Sequence, residues 1–451
     1  MASSSHLSAI DGIRCVMCVM VVSHHAIFYT AALYPHEHGT PWLDSSLMNV
    51  LAWTALPCVD VFLMMAGLFS ARGCEKIAKD VTRPFDDVSR WDRFLVPRVV
   101  PRWRKFAPMH VVVVLCAYAL GDGRFFPEGG VDWWRVASTF GWKNYRHDGF
   151  KGWFDLATTP LWSNFVDLHG TTLLVCLFSI TGNLTFPVAA AWAVLSAVVR
   201  WNVIFNDFAC LNVGCVDDNV VAILLTAPGD AGAPGLALGA APYQLGTPGH
   251  CHPCPLDVGA FADNWSTNLY TPTHTRLAPI FVGAALAAAL KNARPSPPLP
   301  PLRFAVLGLA LLWAAESHAL APKLLTARVG AMLGSPQAVD ALGSLAISTA
   351  WAVIVFAAVV PFDHWLRCDP IRRVLGASIW RFPASLTFGV YCLHWPVLML
   401  ALKCIKPLPS SDVWAFLVIF LPTMVGSVAC AIAYNAVFLR APTTTTRAHE
   451  A

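Results

Sequence analysis

Long apolar stretches separated by short polar ones run along almost the whole chain. Each stretch is close to the roughly 20 residues that a helix needs to cross the hydrocarbon core of a bilayer. The stretches lie at roughly 8–33, 48–71, 106–121, 159–180, 185–205, 276–292, 302–322, 341–361, 384–403 and 412–439. The pattern therefore predicts an all-α, polytopic membrane protein with about ten transmembrane helices, which form a single domain over residues 1–451.

The first stretch contains polar groups that hydrocarbon solvates poorly. Residues 10–28 read IDGIRCVMCVMVVSHHAIF, with Arg14 near the start and His24 and His25 deep inside. On a helix, Arg14 and His25 lie within roughly 20° of one face and roughly 16 Å apart, whereas His24 falls off that face. Such residues indicate either a functional site or a histidine that is hydrogen-bonded between helices.

The composition excludes an ordinary soluble protein. Of the 451 residues, 56% are hydrophobic and only 13% are charged, and the mean hydropathy is +0.55. The first residues lack the basic segment of a secretory signal, so we expect an uncleaved first span. Ten of the fourteen cysteines stand singly in or near apolar segments, which is typical of small buried side chains.

The distribution of Lys and Arg predicts an orientation. The connection 72–105 holds ten Lys or Arg among its 34 residues, whereas the loop 202–275 holds none. The positive-inside rule places the first connection in the cytoplasm. With ten spans, both termini are then cytoplasmic and the loop 202–275 is lumenal or extracellular, which predicts a plasma membrane or secretory-pathway protein.

The long loop, the aromatic segment and the tail carry further signals. In the loop, the cysteines predict two disulfides, or a zinc site with two histidines: Cys210, Cys215, Cys251 and Cys254, with His250 and His252. Asn264 is a glycosylation sequon on the same side, whereas Asn183 matches the sequon on the cytoplasmic side, where we expect it unmodified. The aromatic segment 122–158 suits the membrane interface, and the tail 441–451 has a disordered composition.

The N-terminal third contains a series of three motifs, which begin at Asp11, Val59 and Pro101. This series resembles the integral-membrane acyltransferase family 3, including its animal nose-resistant-to-fluoxetine-like branch. The family opens with Asp-Gly-X-Arg followed after ten residues by His, as in Asp11, Gly12, Arg14 and His25. Residues 59–69, VDVFLMMAGLF, are similar to its second span, with Ala66 in place of the usual serine. PRWRKFAPMH at 101–110 is similar to the Arg-rich pattern that follows.

The resemblance continues over nearly the whole chain. LWSNFVDLH at 161–169 places Asp167 at a family glutamate, and TRLAPIFVGAALAAAL at 275–290 keeps Arg276. TFGVYCLHWPV at 387–397 keeps the tyrosine and histidine of the family, here Tyr391 and His394. Six such motifs in family order make the resemblance specific.

The resemblance implies a membrane O-acyltransferase that moves an acyl group, commonly acetyl, from acyl-CoA to a hydroxyl of a carbohydrate, lipid or similar acceptor. His25 then acts as the base or carries the acyl group itself. Arg14 grips a phosphate or the thioester end of the donor, or extends to the interface. Asp167 orients His25 or pairs with an arginine.

The remaining site residues are expected to bind substrate. Arg102, Lys105 and Arg276 are candidates for CoA binding, and Lys105 lacks the bidentate fork of the family arginine. Tyr391 and His394 share a helix face one turn apart, where they line the acceptor path or make a core hydrogen bond. We expect acyl-CoA as donor substrate, the lipid bilayer as surroundings, no permanently bound cofactor, no metal and no nucleic acid.

Two other functions stay open at this stage. A transporter would use the same polar residues as a path for a proton or a small solute, although the sequence shows no internal repeat of the kind many transporters have. A catalytically silent family member is suggested by Ala66, Ala278 and Phe388, which stand at polar positions of the family.

Overall fold

The computed structural model describes residues 8–33, 57–80, 87–119, 162–207, 275–295, 300–317, 328–329, 332, 336–361, 363–405 and 412–439. These residues are overwhelmingly helical and include no strand, which confirms the all-α prediction. The predictions for the four loop cysteines with their two histidines, for Asn264, for the segment 122–158 and for the tail 441–451 lie outside the described residues.

Eleven helices occupy this part of the chain. They are α1 Ser8–Leu33, α2 Cys58–Asp80, α3 Asp87–Ala119, α4 Trp162–Thr181, α5 Phe186–Asp207, α6 Ala278–Asn292, α7 Pro300–Ser317, α8 Pro336–Val359, α9 Asp369–Leu375, α10 Arg381–Cys404 and α11 Asp412–Tyr434. A single 3₁₀ turn, Ser378–Trp380, joins α9 to α10, and one π-helical turn, Asn435–Leu439, extends α11.

The ten longer helices each overlap one of the ten predicted stretches. Within the described residues, five helical segments are long and apolar enough to cross a bilayer: Ser8–Ile27, Trp162–Thr181, Leu342–Val359, Asp369–Cys404 and Val413–Phe438. The helix α6 is apolar but shorter. These segments fit an integral membrane protein, and the number of about ten crossings stays a prediction.

The helices α2 and α3 reach much further into the basic connection 72–105 than the hydropathy pattern predicts. The helix α2 continues to Asp80, and α3 begins at Asp87 and runs for 33 residues, roughly 50 Å. Lysine and arginine are good helix formers, so the end of an apolar stretch does not end the helix. Much of the basic segment is therefore helical.

The helices α1 and α10 run side by side in the same direction. The Cys15 thiol lies 3.7 Å from the carbonyl oxygen of Trp380, and the Cys18 thiol lies 3.7 Å from that of Thr387. Further along both helices, His25 meets His394. Parallel packing is what the predicted topology requires of the first and ninth spans, and it brings two distant motifs together.

Glycines set the distance between α2 and α6. A Cβ atom added to Gly67 would overlap the carbonyl oxygen of Ile280, and one added to Gly283 would overlap that of Met64. The backbones of α2 and α6 can therefore approach this closely only because glycine has no side chain. Both glycines lie within stretches that resemble the family, 59–69 and 275–290.

The helix α11 closes one side of the bundle by packing antiparallel to α10. A Cβ added to Gly389 would come within 2.7 Å of the Ala431 Cβ, and one added to Gly426 within 2.7 Å of the Val397 side chain. The other side of α11 leaves large apolar residues such as Val425 exposed. An exposed apolar surface of this kind suits contact with lipid.

Candidate active site

The start of α1 is fixed against the end of α9. A Cβ on Gly12 would overlap the carbonyl oxygen of Leu375, so only glycine permits this approach. Asp11 is buried and Arg14 is half-buried in this region. The contact anchors the Asp-Gly-X-Arg opening and orients the rest of α1 toward α10.

Three turns further along α1, His25 makes a hydrogen bond to His394 of α10. The Nδ1 atom of His25 lies 2.7 Å from Nε2 of His394, and the two rings are nearly parallel. His394 is completely buried and His25 is half-buried. The two family histidines are thus direct partners, although 369 positions separate them.

The backbone determines which nitrogens of this pair carry protons. The Nδ1 atom of His394 lies 2.6 Å from the carbonyl oxygen of Tyr391, and a carbonyl oxygen only accepts. In neutral His394, Nδ1 therefore carries the proton and Nε2 accepts one from Nδ1–H of His25. Neutral His25 is then unprotonated at Nε2, the nitrogen that can take up a proton or an acyl group.

Tyr391 joins this pair to α4 and α2. Its hydroxyl lies 2.7 Å from the Ser163 hydroxyl, and its ring meets Phe62 edge to face. The neighbouring Asn164 amide donates to the Cys392 sulfur at 3.3 Å. The polar contacts of α4 therefore hold α10 in the rotation at which His394 faces α1.

His24 and Trp395 complete the surroundings of His25. The His24 ring stands edge to face with that of His25 at 5.1 Å between centroids, and Trp395 lies edge to face at 6.3 Å. His24 is itself buried. The hydrogen bond to α10 is made by His25, the histidine that the helical phase and the family spacing select.

Asp167 pairs with Arg102, the second of the two roles expected for it. The Arg102 guanidinium donates to the Asp167 carboxylate and, at 3.1 Å, to the Thr171 hydroxyl on α4. It also donates to the Ser70 hydroxyl on α2 at 2.7 Å. Arg102, which was predicted to bind CoA, therefore links α3 to α2 and α4. Asp167 contacts Arg102, whereas His25 contacts His394.

Arg276 is buried in a second ion pair. A single guanidinium nitrogen lies 3.0 Å from both carboxylate oxygens of Asp60, and each side chain is 5% exposed. The guanidinium carbon also lies 5.9 Å from the centre of the Trp162 ring, which is within cation–π range. Arg276 thus binds α6 to α2, whereas the sequence suggested substrate binding.

Lys105 lies where the basic segment meets the bundle. Its ammonium stands 4.1 Å from the centre of the Phe388 ring, and its backbone carbonyl accepts a hydrogen bond from the Tyr434 hydroxyl. Burial, together with the smaller effect of the positive charge of Arg14, lowers the pKa of Lys105 to about 8. An anion placed between these two cations would offset their repulsion.

The structure therefore divides the predicted site residues into three places. His25, His394 and Tyr391 form one hydrogen-bonded chain, Arg14 and Lys105 share a cationic region, and Arg102 and Arg276 pair with carboxylates. Ser163 and Asn164 were missed by the sequence reasoning. The signal for them was present, since both are polar residues in the motif at 161–169.

Comparison with known proteins identifies the family. The model of one family, described as an acyltransferase domain, matches residues 7–434, which is nearly the whole chain. No curated protein and no solved structure matches the chain. The narrower nose-resistant-to-fluoxetine-like branch stays a prediction. The protein belongs to the acyltransferase family.

Proposed function

We propose that this member of the acyltransferase family transfers an acyl group, most simply acetyl, from acyl-CoA to a hydroxyl of a carbohydrate, a lipid or a similar acceptor. The observation that carries the proposal is the chain of hydrogen bonds from His25 through His394 to the Tyr391 carbonyl. It supplies an oriented imidazole with an unprotonated nitrogen, and acyl transfer to an alcohol requires such a base.

The reaction balances around this imidazole. As the acceptor oxygen attacks the thioester carbonyl carbon, its proton passes to Nε2 of His25. The carbon–sulfur bond then breaks, and the CoA thiolate takes up the proton from His25. The products are an ester and free CoA, and the imidazole returns to its neutral form.

The same nitrogen can carry the acyl group in a second version of the mechanism. Nε2 of His25 would attack the thioester first, release CoA, and pass the acyl group to the hydroxyl in a separate step. A burst of CoA release in the absence of acceptor marks this version, whereas direct transfer releases CoA only when acceptor is present.

His394 serves as a positioning residue in both versions. Its Nε2 accepts the Nδ1 proton of His25, which keeps that proton away from the reacting nitrogen. When His25 becomes positively charged in the direct route, the same bond stabilises the charge. Tyr391 holds His394 through its backbone carbonyl and holds α4 through its hydroxyl.

The donor side is inferred from charge and topology. Arg14 and Lys105 form a cationic region nearer the start of α1 than His25, and the basic segment 72–105 would be cytoplasmic by the positive-inside rule. Acyl-CoA therefore enters from the cytoplasm, where both termini lie. We place the ten spans in the plasma membrane or a secretory-pathway membrane, with no permanently bound cofactor or metal.

The test measures transfer of label from acyl-labelled acetyl-CoA to an added mixture of carbohydrate and lipid acceptors in membranes containing the protein. We expect His25→Ala to reduce transfer by about 10²–10⁴-fold. His24→Ala is the matched control, because it removes the adjacent imidazole, and its effect should be at least about tenfold smaller.

Three outcomes would count against the proposal. Undiminished transfer in His25→Ala would exclude the mechanism. Solute flux without any CoA dependence would favour the transporter. No transfer to any acceptor by the wild-type protein would favour a silent family member.

A further inference from the structure

An open pocket lies at the start of α1, several helical turns away from the histidine pair. Its volume is about 430 Å³, which is within the range of ligand-binding pockets. It is lined by Ser8, Arg367, Asp369, Arg372, Arg373 and Gly376. Neither the sequence motifs nor the proposed chemistry uses these residues.

The pocket carries an excess of positive charge. Arg367 donates to the Asp369 carboxylate at 2.8 Å and to the Val360 carbonyl at 2.8 Å. Arg372 and Arg373 are exposed, and within the described part of the chain neither forms an ion pair. The three guanidinium groups and one carboxylate leave a net charge of +2.

Backbone contacts hold the floor of this pocket in place. The Gly376 N–H donates to the Arg372 carbonyl at 2.8 Å, which closes the end of α9. A Cβ on Gly376 would come within 2.8 Å of the Ser8 hydroxyl, so this end of α9 lies directly against the first residue of α1. The short helix that carries Arg372 and Arg373 therefore packs directly against the helix that carries His25.

The two arginines that the motifs propose for CoA binding, Arg102 and Arg276, do not offer this arrangement. Arg102 donates to Asp167, Ser70 and Thr171, and Arg276 is enclosed with Asp60. Their guanidinium groups already have protein partners. Two neighbouring arginines that face an open pocket are better suited to bidentate binding of a phosphate.

We propose that this pocket binds the phosphate groups of the acyl-CoA donor. The inference rests on the proposed function, because that function supplies CoA as the ligand. CoA carries its phosphates at one end and its thioester at the other, so a phosphate site belongs away from the reacting histidine. His25 lies seventeen residues beyond Ser8 on α1, roughly 26 Å along the helix axis.

The experiment compares two double variants of the full chain in nanodiscs of phosphatidylcholine. Arg372→Ala/Arg373→Ala removes the two exposed charges of the pocket. Lys291→Ala/Arg294→Ala is the matched control, because it removes two exposed charges on the same predicted side, one in the last turn of α6 and one just beyond it. Thermal melting of each variant checks that it remains folded.

The readout is the affinity for CoA and for CoA that lacks its 3′-phosphate. We expect the pocket variant to bind CoA at least about tenfold more weakly than wild type, and the control to bind as wild type does. If the 3′-phosphate is one of the bound groups, its removal weakens binding to wild type more than to the variant. Arg372→Lys/Arg373→Lys keeps the charge without the guanidinium fork and should lose part of the affinity.

An anionic lipid headgroup offers the same phosphate chemistry and is tested separately. The same variants are placed in nanodiscs that also contain phosphatidylserine, and bound lipid is measured after extraction with detergent. Unchanged CoA affinity in the pocket variant overturns the proposal. If that variant also loses bound phosphatidylserine, the pocket is a lipid site.

Kinetics separate a failure of this inference from a failure of the proposed function. We expect the pocket variant to raise KM for acyl-CoA while kcat changes little. Acyl transfer that depends on His25 but shows a wild-type KM in the variant refutes the pocket and leaves the function intact. Arginine-dependent CoA binding without any transfer supports the pocket and refutes the function.

Discussion

Polar side chains are buried at two helix junctions, and their hydrogen-bonding partners differ in kind. Between α2 and α6, Arg276 and Asp60 form an ion pair that is 5% exposed on each side, and Gly67 and Gly283 bring the backbones into close contact around it. Between α1 and α10, His25 and His394 share a hydrogen bond that needs no formal charge.

All four of these polar residues lie in motifs that resemble the family, yet their contacts suit different roles. The ion pair suits a structural role, and the histidine pair suits a chemical one. Removing one partner of a buried carboxylate–guanidinium pair leaves the other unpaired in a region of low dielectric constant, so such a pair serves best as a fixed contact. An imidazole, in contrast, can be neutral or protonated, so it can accept a proton during a reaction and release it again. We therefore assign stability to the α2–α6 junction and reactivity to the α1–α10 junction.

The largest effect is expected at the ion pair. Asp60→Ala leaves the Arg276 charge buried without its carboxylate, and we expect a loss of about 3–5 kcal/mol in the free energy of unfolding. Replacing both partners, as in Asp60→Leu/Arg276→Met, should recover much of this loss, because an apolar pair needs no charge compensation. Thermal or denaturant unfolding in a fixed detergent measures both.

The matched control for the ion pair is the more exposed one between Arg367 and Asp369, whose side chains are 11% and 44% exposed. Asp369→Ala should cost under about 1 kcal/mol. Equal losses for the two aspartates would contradict the framework role of Asp60.

A smaller change in free energy is expected at the histidine pair, where it affects the rate of acyl transfer. His394→Leu removes the acceptor of the His25 proton, and we expect transfer to fall about 100-fold, which corresponds to about 2.7 kcal/mol. His394→Gln provides an amide oxygen that can accept the same proton, so it should restore part of the rate. Initial rates with labelled acyl-CoA measure both variants.

A positioning role also predicts a change in the pH profile. His394→Leu should alter the pH dependence of transfer, because the His25 imidazole then lacks the acceptor of its Nδ1 proton. If Leu and Gln variants have the same rate and the same profile as each other, His394 acts only through packing.

The smallest effect is expected from the glycine contact. Gly283→Ala introduces a methyl group against the Met64 carbonyl, and we expect a loss of about 1–3 kcal/mol in stability. Gly308→Ala and Gly343→Ala are matched controls, because an added Cβ at either position meets nothing within 4 Å. These changes should be neutral or stabilise the helix, and a loss equal to that of Gly283→Ala would exclude close packing as the cause.

The apolar pattern predicts much of the fold and the spacing predicts part of the site. The ten longer helices overlap the ten predicted stretches, and His25 is the histidine bonded to α10. The helices α2 and α3 extend beyond the predicted stretches because hydropathy does not measure helix propensity. Lys and Arg are polar but have a high helix propensity.

The partners of the arginines could not be predicted, because they depend on tertiary packing. Arg276 meets a carboxylate 216 positions away, and Arg102 meets one 65 positions away. A motif gives the kind of residue at a position but does not give what faces it across a helix boundary. The pocket of Arg372 and Arg373 was missed for the same reason, since the other wall is the first residue of α1.

The bond between His25 and His394 can form only late in the synthesis of the chain. The first helix leaves the ribosome early, whereas its partner follows 369 positions later. Until then, α1 has to stay in the membrane with an imidazole that lacks its final acceptor, and it must find α10 after the intervening helices have been inserted. Assembly of the proposed site is therefore a late event, and premature arrest of translation would yield a nearly complete chain without the proposed chemistry.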